Sequence, residues 1–424
     1  MKAKKIRVIG AGLAGCEASY QLLKAGFEVD LYEMRPLKMT PAHSSGDFAE
    51  LVCSNSLRSN QWSNAVGLLK EEMRRLDSLI MQAADEHAIP AGSALAVDRQ
   101  QFSAAIKAKL ESFPGFTLVN EEVISLEDVP TILATGPLTS DTLSAYLADM
   151  VGTSFLSFYD AIAPVISIEG IDQSVVYRKS RYDKGSADYL NAAMNQEQFD
   201  AFYDFLVNAP LVEQRSFEDI KVFEGCMPIE TMAKRGKKTL LFGPLKPVGL
   251  QQGETRLTAV VQLRQDNAAG DLYNLVGFQT RLTWGAQKEM LKYIPGLEKA
   301  EIVRYGVMHR NTYLTSPKIL NENYQMLEKP NIFIAGQLTG VEGYVESASS
   351  GLLAALAMIA YLNNEAFNFP KATMIASLGH YISQANPHHF QPMNAIFGIL
   401  NSLIKDRTKK AEAALEAIDA FVSK

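Results

Sequence analysis

The hydrophobic and polar positions near the start of the chain change period twice. Ile6, Val8 and Ile9 form a short apolar run that fits a buried strand, the glycine turn GAGLAG opens a helix closing near Gly26, and VDLYE returns to a strand pattern. Two later apolar runs also end in glycine turns. TILATGPLTS spans residues 131 to 140, and NIFIAGQLTGVEGYVESASSG, residues 331 to 351, reads as a strand, a turn at Gly336, then Gly340 and Gly343 before a helix of small residues. Between them, residues 161 to 304 have a different texture, with the tract YRKSRYDKG and a Phe/Tyr-rich helix near NQEQFDAFYDFLVNAP. From Pro228 a short helix is predicted, with Pro at its first position, Glu230 in the first turn, Lys234 and Arg235 in the last and Gly236 as the stop. The tail IKDRTKKAEAALEAIDAFVSK reads as an amphipathic helix that packs with its charges in solvent.

The first of these units carries chemistry. Its glycines are Gly10, Gly12 and Gly15, and Glu33 ends the second strand 18 residues after the last of them. In a strand–turn–helix–strand unit, amides at the helix N-terminus hold a pyrophosphate and the acid takes ribose hydroxyls. The turn residues Gly10, Ala11, Gly12, Leu13, Ala14 and Gly15, with Glu33, are therefore candidate dinucleotide-binding positions. A site at the very start of the chain with a second glycine-rich segment far downstream suits FAD, whose long body spans much of a domain. The expected architecture is α/β: a Rossmann-like FAD-binding domain, discontinuous over 1–160 and 305–424, with an inserted α+β domain over 161–304.

Composition narrows this only in places. A chain of 424 residues with 21% charged residues and no long low-complexity tract is expected to form two or three ordered domains. The N-terminus lacks the apolar core of a signal peptide, and GLLAALAMIAYL at 351–362 falls short of a membrane span, so a cytoplasmic protein is expected, with no membrane partner. The three cysteines are far apart with no C-x-x-C pair, which points to neither a disulfide framework nor a structural zinc site. Net charge is −6, which argues against a nucleic-acid partner for the chain as a whole. Local patches reverse that balance: Lys221, Lys234, Arg235, Lys237, Lys238 and Lys246 face only Glu224 and Glu230 over 221–250, and Arg178, Lys179, Arg181 and Lys184 are interleaved with Tyr177 and Tyr182. Basic residues beside aromatics suit an RNA backbone and an unpaired base.

Cys226 lies in VFEGCMPIE, at or just before the predicted short helix, where partial positive charge favours thiolate. Position alone leaves packing and chemistry both open. Cys53 lies in FAELVCSNSLRSN, whose polar string would make a poor core but a serviceable pocket wall. Cys16 follows the last fingerprint glycine, where a small packing residue is expected.

Taken together, GAGLAGCEA, FAELVCSNSLRSN, FEGCMPIE, GVMHRNTYLTSP and AGQLTGVEGYVESA resemble the folate- and FAD-dependent tRNA (uracil-5-)methyltransferase family, related to the glucose-inhibited division protein A group, from the N-terminal fingerprint to about residue 360. The resemblance implies that 5,10-methylenetetrahydrofolate provides a methylene carbon, and that FAD, reduced by NADPH or NADH, provides the electrons that make it a methyl on uracil C5. The RNA is the T-loop uridine of tRNA or, with the same chemistry, a uridine of 23S ribosomal RNA. By motif match Cys226 is the nucleophile that adds to uracil C6, since C5 is a poor nucleophile until a thiolate does so. Cys53 matches the second functional cysteine, its role open, and Asn55, Gly336 and Gly340 join the FAD-binding set. Trp284 and Tyr344 are candidates for stacking on folate or uracil, His309 and Arg310 for an anionic group, and Glu342 or Glu346 for the base that removes the C5 proton. Two other classes compete: a small-molecule flavin oxidoreductase, which leaves Cys226 and the basic segments without a role, and an RNA-binding flavoprotein without chemistry of its own. Oligomeric state is not legible.

Overall fold

A computed structural model of the chain describes residues 5–152, 156–183, 186–212, 227–251 and 257–423, with the side chains of 156–160 and 309–310 left aside. Five parallel strands form the first sheet in the spatial order Ile332–Ile334, Thr131–Leu133, Lys5–Ile9, Glu28–Glu33 and Phe116–Asn120. Val8 sits between Leu31 and Ile132, and all three are fully buried, as expected where helices cover a parallel sheet. The glycine turns read from the sequence follow the C-terminal ends of three of these strands, the edge at which open α/β sheets bind ligands. The helix Leu13–Lys24 leaves the first turn and packs against the long helix Tyr344–Asn363. A Cβ on Gly351 would lie 2.2 Å from the carbonyl oxygen of Ala14, so only glycine permits that approach.

A second core is separate from the first and is built from residues between Ala163 and Leu297. Its mainly antiparallel sheet has the order Tyr177–Arg178, Leu190–Met194, Ala259–Gln265, Leu272–Leu275, Val165–Ser167 and Ile302–Arg304. The aromatic helix is Gln196–Asn208, started by a reciprocal Asn195–Gln198 capping box, and it buries Phe199, Phe202 and Leu206. A two-stranded antiparallel ribbon, Leu156–Ala161 with Met308–Tyr313, joins the two bodies of the chain. The fold is α/β, with a Rossmann-like first domain and an inserted α+β unit.

Two expected elements shift. The helix after Pro228 runs Ile229–Lys234, with Pro228 one position earlier, at the cap; Arg235 follows the last turn, and Gly236 at φ +114 separates it from the next helix, Lys237–Phe242. The C-terminal helix is Arg407–Val422, opened by Asp406, whose carboxylate accepts from Lys409 N–H, and it buries Ala411, Ala414, Leu415 and Ile418. Among the described residues one helix, Tyr344–Asn363, is long and apolar enough to cross a membrane, and 83% of its apolar window is buried inside the protein.

Candidate functional site

The turn after the first strand begins with Gly10 at φ +103, where a Cβ would meet the Ala134 carbonyl oxygen at 2.5 Å. Gly12 caps the first helix without any side-chain hydrogen bond, and a Cβ there would meet nothing within 4 Å. Unsatisfied amides thus open on empty space at the positive end of a helix, the arrangement that takes a phosphate. Gly10, Gly12, Leu13, Ala14, Glu33, Cys53 and Gly336 line one cavity of about 700 Å³, within the range of ligand sites.

Several predicted residues stand behind that wall. Gly15 is buried, and a Cβ on it would sit 1.8 Å from the Gly10 carbonyl oxygen. Ala11 is fully buried and donates its N–H to Glu33 Oε2 at 2.9 Å. Asn55 is not a lining residue: it is fully buried, its Nδ2 donates to the carbonyls of Val97 and Gln265, and its Oδ1 accepts from Arg264. Gly340 is not one either; at φ +90 it packs on the tip of the Phe390 ring, whose Cζ a Cβ would meet at 2.5 Å. Glu33 lines the cavity, but its oxygens already accept from Ala11 N–H and from the Arg35 backbone N–H, Nε and Nη2. Burial pushes this carboxyl up, and the hydrogen bonds and charge of Arg35 outweigh it, holding Glu33 below the usual carboxylate range. A ribose hydroxyl here would share those lone pairs.

Cys53 is held by long-range partners. Its N–H donates to Tyr344 Oη at 2.7 Å, the Ser54 N–H to the same oxygen at 3.1 Å, and its Sγ lies 3.9 Å from Ala161 O on the ribbon. Tyr344 lines the cavity, and burial of its hydroxyl pushes the phenol well up, so it stays neutral and accepts. Glu342 also lines the cavity, with Gln337 Nε2 donating to both carboxylate oxygens at 2.9 Å. Glu346 does not: it is fully buried, paired with Arg58 and accepting from Ala395 N–H. Trp284 is not a lining residue and is 63% exposed. Cys226 and the side chains of His309 and Arg310 lie outside the described residues. Three residues after Cys226, the Ile229 N–H donates to the carbonyl of Gln279, a lining residue. Cys16 is fully buried, its thiol against Ala11 O at 3.3 Å, and burial pushes that thiol far up, as suits a packing residue.

Sequence reasoning missed Arg58, Arg264 and Asn311, all lining residues. Arg58 holds a positive φ of 63° without being glycine, a strained backbone at the cavity wall. Asn311 Oδ1 is buried with no partner among the described residues. Arg264 is 8% exposed in the apolar strand AVVQLRQ, and a charge in such a run was the one signal that could have found it.

Beneath the Arg58 loop, fully buried Lys70 donates from Nζ to Leu57 O at 2.7 Å, and burial pushes its ammonium down to about 7. The unfolded value is about 10.4, so between about pH 7 and pH 10 the unfolded chain binds the extra proton and stability rises with pH. Denaturant midpoints across that window are expected to rise for the parent chain and to lose this component in Lys70→Met; identical slopes would refute it.

The sequence profile described as glucose inhibited division protein A matches residues 5–366. The chain belongs to that family. Within it, the chain is 59% identical to a curated protein of Anoxybacillus flavithermus, methylenetetrahydrofolate–tRNA-(uracil-5-)-methyltransferase TrmFO, over 430 residues covering 99% of this chain and 100% of that protein. It is 57% identical to the Bacillus subtilis protein of the same name, over 431 residues and 99% of each. These identities place it in the TrmFO branch. The solved structure of Aquifex aeolicus GidA shares the fold, with a TM-score of 0.74 at 14% identity, covering 99% of this chain and 73% of that one.

Proposed function

We propose that this protein methylates C5 of a uridine in tRNA, the T-loop uridine, with 5,10-methylenetetrahydrofolate as carbon source, FAD as electron carrier and NADPH or NADH as reductant. The observation that carries the reading is one cavity joining the dinucleotide turn at Gly10 and Gly12 to Cys53. The names of the relatives support the folate and tRNA parts of it. FAD fits the residues present: open amides at Gly12, the acid Glu33, and the orphaned Asn311 Oδ1, which a ring N–H would satisfy. We assign the FAD site chiefly to the domain formed by 1–160 and 305–424, with Arg264 and Gln279 of the insertion 161–304 completing the cavity wall, and RNA contact to that insertion.

When bound, the flavin supplies the two-electron reduction that separates a methylene from a methyl. The protein's own residues do the rest. The Cys226 thiolate adds to uracil C6, which makes C5 nucleophilic toward the one-carbon unit. Glu342, facing the cavity with its carboxylate oriented by Gln337, is better placed than arginine-paired Glu346 to take the C5 proton. Tyr344 fixes the backbone of Cys53 at the cavity wall.

Purified protein given labelled methylenetetrahydrofolate and a reduced nicotinamide is expected to label tRNA at the T-loop uridine. Label appearing only in ribosomal RNA would overturn the substrate, and no label in either RNA would overturn the reaction.

For RNA contact, Trp284 is stacked on Tyr305, with centroids 5.0 Å apart and planes at 20°, and Lys288 Nζ lies 6.0 Å from the Tyr305 centroid. Trp284 follows Gln279 by five residues and Tyr305 precedes Asn311 by six, so both chain paths lead to the cavity lining. An exposed tryptophan backed by a half-buried tyrosine and beside a lysine suits an unpaired base, whose stacking is worth about 1–3 kcal/mol. Trp284→Ala is expected to weaken tRNA binding about tenfold at constant salt with flavin content unchanged, by the same stacking energy; unchanged affinity in a filter-binding assay would remove the platform from the RNA surface.

A further inference from the structure

Three guanidinium groups gather behind the Cys53 loop, with one carboxylate among them. Asp266, 2% exposed, accepts from Arg99 Nε and Nη2 at 3.1 and 3.0 Å and from Arg304 Nη2 at 3.2 Å. Arg99 also donates to the Leu51 carbonyl. Arg264 has no carboxylate within ion-pair distance among the described residues. Its Nη2 and Nε each donate to a neutral acceptor, Ser54 Oγ at 2.6 Å and Asn55 Oδ1 at 3.2 Å, flanking residues of the Cys53 loop, and the Tyr189 hydroxyl is a further polar neighbour. It nevertheless lines the cavity. A guanidinium remains charged even when burial pushes its pKa downward, as it does here. Asp266 and Tyr189 offset that charge only in part, since burial still outweighs them, and a guanidinium in so dry a place gains from a further anion that meets it.

We infer that Arg264 makes the Cys53 side of the cavity an anion subsite, and that the group it holds is the FAD ring once that ring has become negatively charged on reduction. The inference rests on the FAD reading above. Uptake of two electrons and one proton leaves the oxidised, neutral ring with one net negative charge, shared between a ring nitrogen and its neighbouring carbonyl. That pair of acceptors matches the planar fork of arginine. The cofactor phosphates have donors of their own in the amides at Gly12 and Leu13, which belong to a different wall from the strand Ala259–Gln265 that carries Arg264. A folate carboxylate tail, strongly hydrated, has less to gain from a side chain only 8% exposed. Arg264 therefore favours the reduced form over the oxidised, which keeps electrons on the cofactor until the one-carbon unit is in place.

The test is the reduction midpoint of the FAD-loaded protein, measured by dye equilibration, together with the dissociation constants of oxidised FAD and of sulfite. Sulfite forms a bond from its sulfur lone pair to the oxidised ring and leaves the ring anionic, so it reports the same charge without turnover. Arg264→Gln is expected to weaken binding of the reduced form about 100-fold relative to the oxidised, a fall of roughly 60 mV for a two-electron couple at about 30 mV per tenfold. Sulfite affinity should fall by a similar factor. Arg264→Lys keeps the charge and is expected to retain most of both. If Arg264→Gln does not fold, Ser54→Ala, which removes one of the two anchors that hold the guanidinium in position, is expected to shift the midpoint in the same direction by a smaller amount. An unmoved midpoint with oxidised and reduced FAD equally weakened would assign Arg264 to the phosphates and overturn the inference. An unmoved midpoint with only folate affinity lost would overturn it in favour of the carboxylate tail. Protein that binds no flavin at all would sink the FAD reading itself, a distinct result.

Discussion

Cys226→Ala is expected to abolish methyl transfer to tRNA, with a loss in kcat of about 10⁴-fold or more, the scale on which enzymes fail without their nucleophile. Flavin content and the Arg264-dependent midpoint should be unchanged. The asymmetry follows from chemistry. Uracil C5 is an unactivated alkene carbon until a soft nucleophile adds at C6, and no neighbouring charge or hydrogen bond replaces that bond. Mass spectrometry of the protein trapped on a 5-fluorouridine T-loop RNA decides it, because the fluorine cannot leave as the C5 proton does and the adduct persists. A peptide adduct at Cys226 that disappears in Cys226→Ala and survives in Cys53→Ala is the expected pattern. An adduct mapped to Cys53, or a Cys226→Ala protein retaining normal turnover, would sink the assignment.

The parts of the site that were legible in the sequence are those whose geometry is made over a few residues. Gly10 and Gly12 are read from a turn because a strand, a tight bend and a helix start must follow one another within one short stretch. Gly340 shows the limit of that reasoning. It too is glycine in a glycine-rich segment, but its positive φ serves a turn that packs on Phe390, 50 residues away, and sequence spacing does not distinguish a ligand's cradle from a ring's. Asn55 was read as a pocket residue from the polar string around it, and the structure turns it inward to fasten Arg264. What escaped altogether is pairing between segments far apart in the chain. Tyr344 reaches Cys53 over a separation of 291 residues, and Arg264 reaches Ser54 over 210. The first is fixed by how the two halves of the discontinuous domain come together and the second by how the inserted sheet meets the Cys53 loop, neither of which a local period records.

Gly15→Ala sets helix propensity against packing, and packing is expected to win by a wide margin. Gly15 lies inside the helix Leu13–Lys24, where alanine is intrinsically better than glycine by about 1 kcal/mol. On propensity alone the substitution stabilises. A Cβ at that position, however, would sit 1.8 Å from the Gly10 carbonyl oxygen, closer than any real contact, and the obstacle is backbone that cannot rotate aside. Gly10 is pinned in turn, since its own missing Cβ lies 2.5 Å from Ala134 O on the neighbouring strand. The turn must therefore move as a unit, carrying the Gly12 and Leu13 amides away from the place where a phosphate would sit. Overpacking of this kind costs about 1–3 kcal/mol where a core can yield, and more where it cannot. Gly15→Ala should accordingly purify without flavin and melt a few degrees lower, since the shift is roughly 2–4 °C per kcal/mol for 150–250 residues and smaller for a longer chain. Gly285→Ala is the matched control. Gly285 also lies inside a helix, Trp284–Leu291, and a Cβ there meets nothing within 4 Å, so propensity acts alone and the melting temperature should hold or rise. If both variants melt like the parent and Gly15→Ala keeps its flavin, the close approach of Gly15 to Gly10 does not govern the site. The melting temperature answers for the fold even if the cofactor proves to be something other than FAD, and the flavin content answers for the cofactor.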